Sequence, residues 1–317
     1  MRTASAIAVA LVAVAASTAS GGGRAVTELA QQRVELDAVP GPSRAVVSGP
    51  NLWVIDSEHL WRFSLVGKGQ AYTIPDRRPV RRLIPYKASV LAHCYDGELF
   101  QVNAAGTITL VRHIDPDVDD LIAIDGGFVA LHSDRLNFWP RVADVGAAEL
   151  TFNSDDGDEL AAMPTRGKLV GMGADRFALV ALEPYTLWVM GLDRTLRRFE
   201  LDASPWPTGC EYVDGRHDRV VSRCGGPRIG QVHHATGKLF VALETDYKYR
   251  YKDERRNPPN GFSFGAACAF VDEIDPLSGE LLNRMAPGHV VGVHGGKLVT
   301  HGRDGPDGPA YIEMAAR

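Results

Sequence analysis

Beyond residue 40 the chain is a succession of short apolar runs separated by Asp, Gly and Asn. Leu52-Trp-Val-Ile55, Leu60-Trp-Arg-Phe-Ser-Leu65, Ser89-Val-Leu-Ala92, Glu98-Leu-Phe-Gln-Val102, Phe128-Val-Ala-Leu131 and Leu187-Trp-Val-Met190 are rich in β-branched and aromatic residues. Such runs, bounded by turn formers, predict strands and hairpins, and no long amphipathic helical spacing follows residue 40. The segment from Ala25 to Asp37 reads two ways. Val26, Leu29, Ala30 and Val34 suit one helix face, while Arg33 to Val39 equally suits an outer strand.

Stacked against one another, the runs repeat in sets of four. Arg82-Leu-Ile-Pro-Tyr86, Ala88-Ser-Val-Leu-Ala-His-Cys94, Gly97-Glu-Leu-Phe-Gln-Val102 and Asn103-Ala-Ala-Gly-Thr-Ile-Thr-Leu-Val111 form one unit. Asp120-Leu-Ile-Ala-Ile124, Gly127-Phe-Val-Ala-Leu-His132, Arg135-Leu-Asn-Phe-Trp139 and Glu149-Leu-Thr-Phe152 form the next. Further units start near Ala45, Lys168, Cys210 and Val290, and a less regular one covers about 246 to 288. Four strands in a period of about 40 residues predict a β-propeller. Seven blades fit this spacing best and six remain open, with one propeller domain over 24–317. The final unit (Val290–His294, Lys297–His301, Ala310–Met314) shows three strands only, so the strand at Arg33–Val39 is expected to complete it. That pairing of the two ends would leave no open sheet edge. A β-sandwich plus a second all-β domain is the competing architecture, but no Pro/Ser linker divides the chain.

Val271-Asp-Glu-Ile-Asp-Pro-Leu-Ser-Gly-Glu-Leu-Leu282 and, more loosely, Gln231-Val-His-His-Ala-Thr-Gly-Lys-Leu-Phe-Val241 resemble the strand–Asp–Ser/Thr-Gly–strand turn of quinoprotein-like and YVTN-type propellers. In that turn the glycine takes a positive φ and the Ser/Thr or Asp side chain caps the backbone. The resemblance implies an extracytoplasmic binding scaffold. Quinone-binding members usually carry a Trp shortly after the glycine. Here Gly237 is followed by Lys-Leu-Phe and Gly279 by Glu-Leu-Leu, so no quinone is expected and the cofactor stays unknown.

Composition narrows the class. Hydrophobic residues make up 45% and charged residues 23%, enough for a large core. A net charge of −5 argues against a general nucleic-acid binder. Arg2, the apolar run Ala6 to Ala16 and the small residues Ser17 to Gly23 have the layout of a secretory signal peptide spanning 1–20. No later stretch is long and apolar enough to span a bilayer, so a secreted or periplasmic monomer is expected. Export permits disulfides. A hairpin centred on residue 217 would set Cys210 opposite Cys224, within bridging reach; two buried thiols are the other reading. Cys94 and Cys268 have no assigned pairing.

Three features carry candidate chemistry. His93, His132 and His301 each end a second strand and precede an Asp-containing loop, so a propeller would bring them to one rim. Convergent imidazoles suit a metal or proton transfer, as in a metal-assisted lyase or hydrolase; repeat-consensus strand ends are the plainer reading. Arg223 is expected at the comparable place in the Cys210 unit. Second, Tyr247-Lys-Tyr-Arg-Tyr-Lys-Asp-Glu-Arg-Arg256 alternates aromatic and basic residues, with five basic and two acidic side chains. As an extended strand, Tyr247, Tyr249 and Tyr251 would form one face and Lys248 and Arg250 the other, a platform for carbohydrate, an anionic ligand or a protein partner. Third, Asp115–Asp120 and Asn153–Glu159 are acidic loops without the spaced ligand set of an EF-hand, and read as solvated turn carboxylates.

Overall fold

The computed structural model describes residues 31–315 apart from loop segments, the longest being 36–43, 141–147, 151–166, 203–210, 256–262 and 304–309. The expected export segment 1–20 and the acidic loop 153–159 lie outside the described residues. Within them, the strands form five four-stranded antiparallel sheets and one five-stranded sheet. Blade 1 contains Arg44–Ser48, Asn51–Ile55, Leu60–Ser64 and Gly69–Tyr72. Blade 2 contains Val80–Tyr86, Ser89–Cys94, Glu98–Val102 and Ile108–His113. Blade 3 contains Asp120–Ile124, Gly127–Leu131, Leu136–Pro140 and Ala148–Leu150. Blade 4 contains Gly167–Gly171, Arg176–Leu182, Tyr185–Gly191 and Leu196–Glu200.

Blade 5 accounts for the difference between seven units and six. Its strands Arg219–Ala235, Lys238–Tyr251 and Ser263–Ile274 run 17, 14 and 12 residues, flanked by Glu211–Val213 and Leu281–Met285. The two sequence units starting near Cys210 and covering about 246 to 288 are therefore one sheet. The proximal halves of its long strands make the blade, and the distal halves continue as an arm. Blade 6 contains Val290–His294, Lys297–Arg303 and Ala310–Ala315, and its fourth strand is the N-terminal Gln31–Glu35. Val34 pairs with Ile312 in that antiparallel closure, as the repeat pattern requires, although the closing strand starts two residues before Arg33.

The innermost strands touch in sequence around a closed ring, and Val290–His294 returns to Arg44–Ser48. Both faces of a blade are covered by neighbours, which explains why its middle strands are continuously apolar. Asn51–Ile55 is buried throughout: Leu52 and Val54 pack towards blade 6, while Trp53 and Ile55 pack towards blade 2. The same division recurs between the remaining consecutive blades, so six apolar clusters fill six interfaces among the described residues. Each large side chain buried there contributes about 1.5–3 kcal/mol. The fold is an all-β propeller with six blades, the lower of the two counts the repeat allowed.

The two family-like turns have the expected geometry. Gly237 and Gly279 lie at φ +74° and +72°. The Asp275 carboxylate accepts the Leu277 amide at 2.8 Å, and the Gly279 amide donates to the Asp275 carbonyl at 2.8 Å. A side chain at Gly279 would also strike Phe199 of blade 4, so the position demands glycine on two counts.

Candidate functional site in the central channel

The innermost strands enclose a cavity of about 910 Å³ along the ring axis, a size that accommodates a small organic molecule. All six blades contribute to its wall. A smaller cavity of about 120 Å³ lies where the inner strands of blades 2, 3 and 4 end. Charged side chains concentrate at the opposite end, where inner strands begin. Arg81 and Arg82 come from blade 2, Asp120 from blade 3, Lys168 from blade 4, and Arg228 with Glu244 from blade 5. Four cationic groups thus face two carboxylates among the described lining residues.

The carboxylates have fixed partners. Asp120 accepts from the Arg82 guanidinium at 3.1 Å and from the Leu169 amide at 2.7 Å, with the Lys168 ammonium at 3.9 Å. Arg82 also donates to the Val118 and Asp119 carbonyls, tying blade 2 to blade 3. Across the ring, Arg228 pairs with buried Glu244 at 3.2 Å. Glu244 reaches over Gly230, where a Cβ would lie 2.3 Å from its carboxylate. Asp120, which the sequence placed in a solvated acidic loop, is a buried residue of the channel wall.

The inner strands are irregular where these groups sit. In blade 2 Val80 pairs with Cys94 and Arg82 with His93, so Arg81 is an extra residue on a bulge. In blade 5 Ile229 pairs with Leu243 and Val232 with Val241, which puts Gly230 and Gln231 on another. A bulge re-aims a side chain that regular pairing would send elsewhere. Gln231 donates its amide to the Ala45 carbonyl at 3.3 Å, while its own carbonyl oxygen is buried without a partner.

The sequence-nominated histidines share one end of the ring but not one pocket. Each second strand runs antiparallel to its inner strand, so its last residues lie beside the inner strand's first: His93 opposite Arg82, Leu131 before His132 opposite Asp120, and Thr300 before His301 opposite Val290. These are second-strand positions, and neither His93 nor His132 lines the channel. His93 is fully buried. Burial, then the nearby Arg82 charge, pushes its pKa down to about 4, with Arg81 and His113 adding to the shift and the Ile114 backbone opposing it. A base so disfavoured as a cation, under two guanidinium groups, is poorly placed to receive a metal ion. The His132 ring contacts the Asn137 amide at 3.2 Å. The side chain of His301 is not among those described, and no group of three potential metal ligands occurs among the described residues.

Arg223 does not take the place equivalent to His93. In blade 5 that position, opposite the inner-strand residue Arg228, belongs to Glu244, because the long strands shift the unit by about half its length. Arg223 lies in the arm, opposite Glu211 and Tyr247. Backbone register pairs Arg223 with Tyr247, Val221 with Tyr249 and Arg219 with Tyr251 in that arm. The hairpin pairing of Glu211–Val213 with Val221–Arg223 has the register that a turn centred on 217 requires. Cys210 itself is outside the described residues, and the side chains of Cys224 and Cys268 are not described. Cys94 is a free buried thiol, its pKa raised to about 11 by burial, and it packs among apolar residues between blades 1 and 2.

The channel residues were missed because each looks unremarkable alone. The available signal was positional: charged residues stand at or just after the start of the inner strand in blades 2, 3 and 4, at Arg81 and Arg82, Asp120 and Lys168.

No protein-family model and no curated protein sequence matches the chain. Among solved structures, a streptogramin B lyase is similar at 10% identity and a TM-score of 0.49, over 90% of this chain and 98% of that one. Raptor from Chaetomium thermophilum is similar at 11% identity and a TM-score of 0.46, over 89% of this chain and 28% of that one. The WD40 β-propeller domain of Doa1 is similar at 9% identity and a TM-score of 0.40, over 90% of this chain and 95% of that one. Likeness at this level carries no activity across, and the propeller assignment rests on the closed ring of the chain itself.

Proposed function

We infer that the protein is an exported propeller of the quinoprotein-like, YVTN-type kind that acts as a monomeric binding module, with its ligand in the central channel. The observation that supports this reading most is the cavity of about 910 Å³ walled by all six blades, with polar groups concentrated at one end. Export follows from the charge, apolar run and small residues of segment 1–20, and a Cys210–Cys224 bridge would suit that compartment. The arm, whose sequence alternates tyrosines with basic residues from Tyr247 to Tyr251, is a second surface suited to a carbohydrate or protein partner.

A thermal-shift screen of small anionic and neutral compounds tests the channel reading. Ala123→Trp and Val293→Trp fill the wall from blades 3 and 6, where both residues are half-buried. A compound that stabilises the wild type should lose its effect in both folded variants. Stabilisation retained in both would place the ligand elsewhere on the molecule.

A further inference from the structure

We propose that the charged end of the channel is an anion site that takes a small molecule through a phosphate or carboxylate head, held by Arg81, Lys168 and Arg228. The inference rests on the channel reading above and adds the chemical class of the ligand.

Charge balance comes first. Four cationic side chains and two carboxylates line the cavity among the described residues, in a chain whose net charge is −5. A cationic mouth on an acidic protein is a local departure from the composition. It also attracts anions where the channel walls limit screening by solvent. Asp120 offsets Arg82 and Glu244 offsets Arg228, which leaves an excess of two cationic groups among the described lining residues.

Backbone geometry is the second support, and it is independent of charge. Arg81 occupies a bulge, as does Gln231 across the ring, so both side chains leave the alternation of their strands at the channel wall. Blades 2, 4 and 5 supply Arg81, Lys168 and Arg228, so cations from separate sectors line the same cavity. Guanidinium groups match the planar or tetrahedral oxygens of carboxylates and phosphates and form short charge-assisted bonds with them. Apolar wall residues such as Ile84, Ile122 and Val232 continue beyond the charged end, leaving space for the body of the ligand.

Calorimetric titration of the purified protein with inorganic phosphate, malonate and neutral glycerol is the test. Arg81→Gln and Arg228→Gln are compared with wild type, each checked for a wild-type unfolding midpoint. One saturable site for phosphate or malonate is expected, weakened about tenfold or more in either variant, with no site for glycerol. Phosphate should also move the His93 ring resonances in histidine-labelled protein. Should Arg81→Gln fail to fold, Arg228→Gln decides alone, since the Arg228 side chain is 52% exposed. Absence of saturable anion binding, or equal affinity in wild type and variants, overturns the anion assignment. If a neutral compound from the screen is instead lost in the channel-filling variants, the assignment falls and the channel reading stands.

Discussion

Between blades 4 and 5, Asp272 has no solvent exposure and receives two bonds from the Arg284 guanidinium, at 2.7 and 2.9 Å, and one from the Tyr185 hydroxyl at 3.0 Å. At the channel mouth, Asp120 receives a single guanidinium bond from Arg82, while the Arg228 side chain across the ring is 52% exposed. The same residue types produce two different devices. In the first, three groups satisfy one another in a dry interface, and Arg284 further lies over the Phe270 ring at 5.2 Å. Burial and the Asp272 charge push the Tyr185 pKa well up, so the hydroxyl stays a donor. In the second, cations outnumber carboxylates beside a cavity. A charge-matched set locks blades together; a mouth where cations outnumber carboxylates attracts an anion.

The sharpest way to break this contrast is to remove the carboxylate of the closed set. Asp272→Ala leaves the Arg284 charge and the Tyr185 hydroxyl buried without their acceptor, and should cost about 3–5 kcal/mol in urea unfolding. A loss below about 1 kcal/mol would mean that the triad is solvated and that the contrast with the mouth is false.

A smaller effect is expected from His93, which lies beneath the mouth. Its folded pKa of about 4 is below the ordinary 6.5, so between these values the unfolded chain takes up a proton that the folded chain refuses. Stability should be flat above pH 7 and fall by about 2–3 kcal/mol as pH drops from 6.5 to 4. His93→Leu should remove that fall, because it replaces the titrating ring with an apolar side chain at a fully buried position. Urea midpoints across this pH range compare the two proteins; an identical slope in both would mean that His93 is solvated.

Much of the ring could be read from the residues. Runs such as Asn51–Ile55 must be covered on both faces, and the three-stranded end of the repeat required a strand from the N-terminal side. Blade number was less legible, because the strand Arg219–Ala235 joins a blade to an arm and hydrophobic spacing does not mark where one becomes the other. The channel was least legible. Asp120 was legible as the first residue of a unit's opening strand and as the last carboxylate of the run Asp115–Asp120, but only its bond to Arg82 shows that it is a fixed member of the channel wall. The histidines drew attention because of their residue type, yet alternation sends His93 into the interface between blades rather than to the axis. Bulges such as the one at Arg81 leave no sequence signature, since they depend on the partner strand.

Tungstate, a tetrahedral dianion with strong anomalous scattering, would locate the anion directly in crystals of the full-length protein. The expected result is an anomalous peak on the ring axis, within bonding distance of Arg81 and of Lys168 or Arg228. Peaks confined to the outer rim, with that end of the channel empty at saturating tungstate, would contradict the account.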